Sequence, residues 1–237
     1  MRLFLFLVLS YPFILSAQSE TAADAYGAGV RAFYAEDYKT ALSKYSEALT
    51  LKPNTIGYLY SRALTYQKLY RDSLANIDFH KVVILDPTYI DAWYWLGMIQ
   101  MDEKHYDSAY HYFSNALRIS PNDVAALHQL GLIMYYKRKY FDAIDIYSKI
   151  INIKPDDGQA YYKRGLAKFN DEDFEGAAKD FTESYTLDPD NTLALEQSAL
   201  SYLRENDLEN ACRDWDILLK KGNSHAQDNI NLYCGKK

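Results

Sequence analysis

Cysteine is nearly missing from this chain: two occur among 237 residues, Cys212 and Cys234. So few, with no CxxC pair, leave a zinc or dithiol redox site without support. Glycine (10) and proline (6) are scarce and no low-complexity tract occurs, which leaves a globular composition, half hydrophobic and a quarter charged. Basic charge is in deficit, 26 Lys and Arg against 32 Asp and Glu. The net charge of −6 speaks against a nucleic acid or an anionic membrane bound by bulk charge. Neither HExxH nor GxSxG is present, so two common routes to hydrolytic chemistry are absent. What the chain has in excess is tyrosine, 23 residues against three tryptophans. Its apolar ring and wettable hydroxyl suit half-buried and contact surfaces.

The N-terminal hydrophobic run, Leu3 to Leu15, has 13 residues, too few to span a bilayer comfortably as a helix. With Arg2 before it and Ser16 and Ala17 after it, the run predicts an export signal at 1–17, cleaved between Ala17 and Gln18. Cleavage removes one arginine and no acid, moving the net charge from −6 to −7. The exported chain is expected in the periplasm or outside the cell, with no membrane insertion. There, Cys212 and Cys234 are expected to form a disulfide. It would close a loop of about 22 residues and contribute roughly 3 kcal/mol in the chain-entropy model; two free thiols are the alternative.

The few prolines are ordered. Apart from Pro12 they are Pro53, Pro87, Pro121, Pro155 and Pro189, each 34 residues after the last. A fixed period of this length marks a stacked array of repeats. Ending each repeat two residues after its proline gives units 22–55, 56–89, 90–123, 124–157, 158–191 and 192–223, followed by a capping helix and tail at 224–237. The eighth position is always tiny: Gly29, Ala63, Gly97, Gly131, Gly165, Ala199. The twentieth is always alanine, from Ala41 to Ala211, and the twenty-fourth always aromatic: Tyr45, Phe79, Phe113, Tyr147, Phe181, Trp215. These columns predict two helices folded back on each other, the small residue of the first facing the small residue of the second. The aromatic lies one turn beyond the alanine on the same face. Leu51, Leu85, Ile119, Ile153 and Leu187 are expected to close the apolar stripe before proline stops the helix. Asn54, Thr88, Asn122, Asp156 and Asp190 are expected to cap the helix that follows.

This pattern resembles the tetratricopeptide repeats. The third repeat carries the family's residues as Trp93, Leu96, Gly97, Ala109, Phe113, Ala116 and Pro121. Trp93 is expected in the interior and Trp95, two positions on, less buried. Arg62 and Arg164 depart from the leucine column, Asp72 from an otherwise apolar one, and Asn223 stands where a sixth proline would fall. The resemblance implies an all-α, right-handed α-solenoid of six helix-turn-helix repeats. The tail offers Ala226, Ile230 and Tyr233 at helical spacing as its polar-sided terminal cap, with Ser224 at its start and Gly235 at its end. The tail from Ala211 to Cys234 also resembles the ending of exported bacterial members of the family.

In that family the first helices line a concave surface, and positions 2, 5, 9 and 12 face a ligand. Position 5 here reads Tyr26, Tyr60, Tyr94, His128, Tyr162 and Glu196, and position 12 adds Phe33, Met101, Tyr135 and Phe169. The resemblance therefore implies a non-catalytic scaffold gripping a peptide or helical segment of a partner protein in an aromatic-lined groove. The same rings also fit as ordinary filler between helices. A structural subunit of a cell-envelope assembly, joined through its outer face or ends, is the rival reading. The family's carboxylate clamp needs Lys at position 5 and Asn at position 9, and neither occurs. No catalytic residue, metal or cofactor is expected. His105 and His111 are six apart and fall far round a helix from each other, and the lone GxG at Gly27 and Gly29 reads as packing.

Overall fold

The computed structural model describes residues 21–235; the proposed leader at 1–17 lies outside them. Among the described residues every regular element is helical. The first six are α1 (Ala22–Tyr34), α2 (Tyr38–Leu51), α3 (Ile56–Lys68), α4 (Asp72–Leu85), α5 (Ile90–Asp102) and α6 (Tyr106–Ile119). There follow α7 (Val124–Tyr136), α8 (Tyr140–Ile153), α9 (Gly158–Asn170), α10 (Phe174–Leu187), α11 (Thr192–Arg204) and α12 (Leu208–Lys220). A short α13 (His225–Asn229) runs on as π-type turns over Ile230–Cys234. The chain forms two compact units, one up to Asp78 and one from Phe79 onward, so the division falls inside α4. In the first unit α1 packs on α2 and α2 on α3; in the second, helices pack in chain order from α5 to α13. This is the all-α, solenoid-type packing that the period implies.

The turn inside each hairpin has one form. Glu36, Tyr70, Lys104, Arg138, Glu172 and Asn206 all take positive φ, between 55° and 65°. The amide after each reaches back to the carbonyl five residues earlier, Asp37 to Ala32 and Asp207 to Tyr202 at 2.9 Å, which satisfies the helix end. Glycine ordinarily takes this conformation. Here none of the six is glycine, so the turn leaves no glycine signal in the sequence. Asp37, Asp173 and Asp207 then cap the second helix through their side chains.

Between hairpins the capping residue lies one position later than expected. Thr55, Tyr89, Asp123, Asp157 and Asn191 hold the N-cap position. Asp123, Asp157 and Asn191 accept the amides of Ala126, Ala160 and Ala194. The residue after proline is still needed to complete the turn; Thr88, for example, donates its amide to Asp86 at 2.9 Å. Leu51, Leu85, Ile153 and Leu187 are 37–52% exposed, so the apolar stripe ends before them. They stand at the last helical residue, past the buried part of the hairpin.

The packing inside a hairpin also differs from the expected pairing. The small residue at position 8 is covered by the aromatic ring at position 24, not by the alanine at position 20. A Cβ added to Gly29, Gly97, Gly131 or Gly165 would sit 2.7–2.8 Å from the ring of Tyr45, Phe113, Tyr147 or Phe181. Those rings are at most 2% exposed. Burying each contributes a few kcal/mol. Trp93 is only half-buried. Its indole N–H needs an acceptor and finds the Pro87 carbonyl at 2.9 Å, which holds it toward the loop and out of the interior.

Positions 7 and 23 form a second internal pair that the column reading missed. Arg62 donates twice to Asp78, at 2.7 and 2.9 Å, and Arg164 twice to Asp180, at 2.8 and 2.7 Å. Asp78 and Asp180 are 2% and 4% exposed. In the sixth hairpin Ser198 donates to buried Asp214 at 2.7 Å. Burial holds the Asp214 carboxyl above its ordinary value, against the lowering hydrogen bonds from Ser198 and Arg213. An acid whose folded pKa is raised is most favourable to the fold below its unfolded value, near 3.8, and loses stability as pH rises through the folded value. Asp214→Asn keeps the bond to Ser198 without the charge. Urea denaturation at a series of pH values is expected to show it gaining on the wild type from acid toward neutral pH.

The 34-residue register continues past the sixth hairpin. Ala226, 34 residues after Thr192, is 2% exposed. Thus α13 and its π-type continuation occupy the place of a seventh first helix, cut to two five-residue stretches. Its eighth position is Tyr233, whose ring stacks on Trp215 at 5.6 Å. Cys212 and Cys234 are joined as a disulfide with Cα atoms 5.8 Å apart, which ties this segment to α12.

Candidate functional site

The residues singled out at positions 5 and 12 come from the first helices, seven residues or about two turns apart with position 9 between them, so each hairpin sets its pair on one helix face. All nine, Tyr26, Phe33, Tyr60, Tyr94, Met101, His128, Tyr135, Tyr162 and Phe169, are half-buried. In the first unit Tyr26 stacks on Tyr58 at 4.6 Å, and its hydroxyl meets Ser61 Oγ at 3.2 Å. Tyr26, Val30, Phe33, Tyr45 and Leu64 wall a cleft of about 150 Å³. Burial pushes the Tyr45 phenol up to about 12, so it enters any contact as a neutral hydrogen-bonding group.

In the second unit the position-5 rings lean on the position-24 rings of their own hairpins. Tyr94 lies 5.5 Å from Phe113, His128 6.1 Å from Tyr147 and Tyr162 5.6 Å from Phe181. Position 12 leans the same way on the start of the second helix, Tyr135 on Tyr140 at 5.7 Å and Phe169 on Phe174 at 5.1 Å. Met101 packs against the core cluster around Phe113 and Tyr147. Each ring therefore fills space on one side, as the filler reading holds, and keeps the remainder of its surface open. The half-buried residues at position 9, including Met98, Leu132 and Leu166, join the rings into an apolar strip.

Beneath that strip, Tyr147 is 1% exposed and its hydroxyl has no hydrogen-bond partner among the described residues. Burial raises its pKa well above the ordinary phenol value. Phe113 and Phe181 fill the same position without a hydroxyl. Tyr147→Phe is accordingly expected to stabilise the fold by about 1 kcal/mol, read as a shift of the urea midpoint.

One polar cleft went unnoticed in the sequence. His128 Nε2 lies 3.3 Å from Asp157 Oδ2, and Lys154 Nζ 3.6 Å from the same oxygen. These residues line a cleft of about 710 Å³ with Gln159, Asp188 and Asn191, at the starts of α7 and α9. The Asp157 carboxyl is resisted by its burial yet ends below its ordinary value, through the amide of Ala160 and through His128. His128 thus stands against the Asp157 carboxyl instead of continuing the tyrosine column. Only the run of cap residues, Asp156, Asp157, Asp188 and Asn191, signals this cleft in the sequence. Among the described residues no group of three His, Cys, Asp or Glu side chains is placed to hold a metal.

Models of the tetratricopeptide repeat match residues 90–123 and 158–191, the third and fifth hairpins. This chain is a tetratricopeptide-repeat protein. The crystal structure of the MamA protein superposes with a TM-score of 0.67 at 26% identity, covering 72% of this chain and 93% of that one. The C-terminal part of a tetratricopeptide-repeat protein from Cytophaga hutchinsonii gives 0.79 over 90% and 89% of the two chains, and at 19% identity that likeness speaks for the fold. Over 81 residues the chain is 31% identical to the heat-shock cognate co-chaperone sgt12 of Aspergillus fumigatus. That match covers 34% of this chain and spans about a quarter, 24%, of the curated relative's length. Tetratricopeptide repeats of this kind form protein-interaction scaffolds, and such proteins are in general non-catalytic.

Proposed function

We propose that this tetratricopeptide-repeat chain holds an extended or helical segment of a partner protein against the apolar strip of its first helices, without catalysis. The observation that carries this reading is the strip of the second unit, where Tyr94, His128 and Tyr162 are half-buried, each leaning on the ring of its own hairpin, and stand beside half-buried Met98, Leu132 and Leu166. Rings already fixed on one side by their own hairpin lose little freedom on contact, which favours tight capture. The strip carries no lysine and no asparagine at positions 5 and 9, so the partner group it suits is an apolar side chain, not a terminal carboxylate.

A displayed library of random peptides tests the reading. Peptides rich in aliphatic and aromatic residues are expected to be enriched on the wild-type chain. Tyr94→Ala, Tyr135→Ala and Tyr162→Ala in combination are expected to weaken the selected peptide by about tenfold or more. Circular dichroism would show whether the helices persist. Undiminished binding by a folded triple variant would remove the strip from the account.

The same proposal puts the protein outside the cytoplasm, in the periplasm or beyond. The apolar run at 3–15 and the Cys212–Cys234 bridge support it. N-terminal sequencing of the protein from its native cells is expected to begin at Gln18; a chain that keeps residues 1–17 would contradict cleavage.

A further inference from the structure

The last second helix, α12, keeps one face open. In the hairpins before it within the second unit, the following hairpin packs on the second helix. After α12 there is only the shortened α13 with its continuation, and among the described residues no helix fills the place of a seventh second helix. A cleft of about 680 Å³ opens there, between the α12 face and Tyr233 and Cys234. Glu209, Arg213, Asp216 and Lys220 are exposed on that face, at spacings of four, three and four, so they form one row along the helix. Cys212 and Ile217 flank the row and are half-buried. Arg213 gives two donors to Asp214, both at 3.1 Å, and a guanidinium has five.

The row alternates acid, base, acid, base, and this order complements a copy of itself laid antiparallel. A two-fold axis crossing α12 midway between Asp214 and Trp215 sets Glu209 opposite Lys220 of the second copy and Arg213 opposite its Asp216. By symmetry each pairing occurs twice, as in any two-fold interface. The same axis brings Ile217 of one copy to Cys212 of the other, against the disulfide and the edge of Tyr233. A parallel alignment in register would instead set every charge against its like. We propose that this face joins two copies of the chain through antiparallel pairing of α12, with the end cleft as its apolar centre. The interface lies at the end of the array and leaves the first-helix strip of the second unit uncovered, so one assembly presents two such strips.

Sedimentation of the disulfide-intact chain across the micromolar range tests this, with K220E, E209K and the double variant E209K/K220E. The wild type is expected to dimerise, less at high salt because the pairs are exposed. K220E places two like-charge contacts in the interface and is expected to raise the dissociation constant about tenfold. E209K/K220E restores both pairs with their signs exchanged and is expected to recover wild-type association. Both positions are exposed, so all variants should keep the helical circular dichroism of the wild type. A wild type that stays monomeric throughout overturns the proposal. So does a dimer indifferent to K220E, or a double variant no better than K220E alone.

Discussion

Arg62→Leu is expected to destabilise the protein by about 3–5 kcal/mol, the effect of stranding a buried charge. The guanidinium donates to both oxygens of Asp78, which is 2% exposed, and reaches Ser46 Oγ at 3.4 Å. Leucine fills much of the same space, so lost packing is the smaller part of the effect. What remains is a carboxylate that water barely reaches, without its two charged donors. The fourth hairpin shows how to relieve it, since Leu130 and Ile146 stand at the same two positions. Arg62→Leu with Asp78→Ile imports that pair and is expected to return stability to the wild-type level or above it. Urea denaturation followed by circular dichroism reads both variants. A single variant that loses less than about 1 kcal/mol, the value of an exposed pair, would show that this ion pair contributes little.

Gly97→Leu is the second large effect, at about 3 kcal/mol, the upper range for overpacking a core. The added Cβ alone would meet Phe113 Cζ at 2.7 Å and Cε1 at 2.8 Å, and Phe113 is fully buried. Ala63 and Ala199 occupy the same position in other hairpins, so a methyl is within what the fold tolerates. Gly97→Ala should therefore cost much less than leucine. Removing the obstructing ring tests the cause. Phe113→Ala alone is expected to cost about 3–5 kcal/mol. The double variant Gly97→Leu/Phe113→Ala should cost clearly less than the two together, because leucine then fills part of the void. Additive losses in thermal or urea unfolding would mean that the glycine is required for some other reason.

These two positions also show what the sequence discloses and what it conceals. The period, the prolines and the aromatic column were legible because each recurs at the same place and has one mechanical meaning. The partner of position 8 was misassigned because two columns of small residues were matched with each other. Volume complementarity instead sets the smallest residue under the largest. The Arg62–Asp78 and Arg164–Asp180 pairs were visible only as departures from leucine at position 7. An aspartate sixteen residues later in both repeats was the available signal, but it lies across the hairpin, outside any single-helix pattern. The hairpin turns were hidden for another reason: the packed helices on either side hold Tyr70 or Arg138 at positive φ without glycine. For the candidate site, the rings could be placed on one helix face from their spacing. The share of each ring taken up by Phe113, Tyr147 or Phe181 needed the structure.

Amide hydrogen exchange of the intact chain, with and without a peptide selected by binding, tests the central claim most directly. If the first helices carry the partner, slowed exchange is expected to concentrate in 90–102, 124–136 and 158–170. The second helices 140–153 and 174–187 should change little. Protection confined to those second helices, or to 208–220 with the first helices unaltered, would contradict the account.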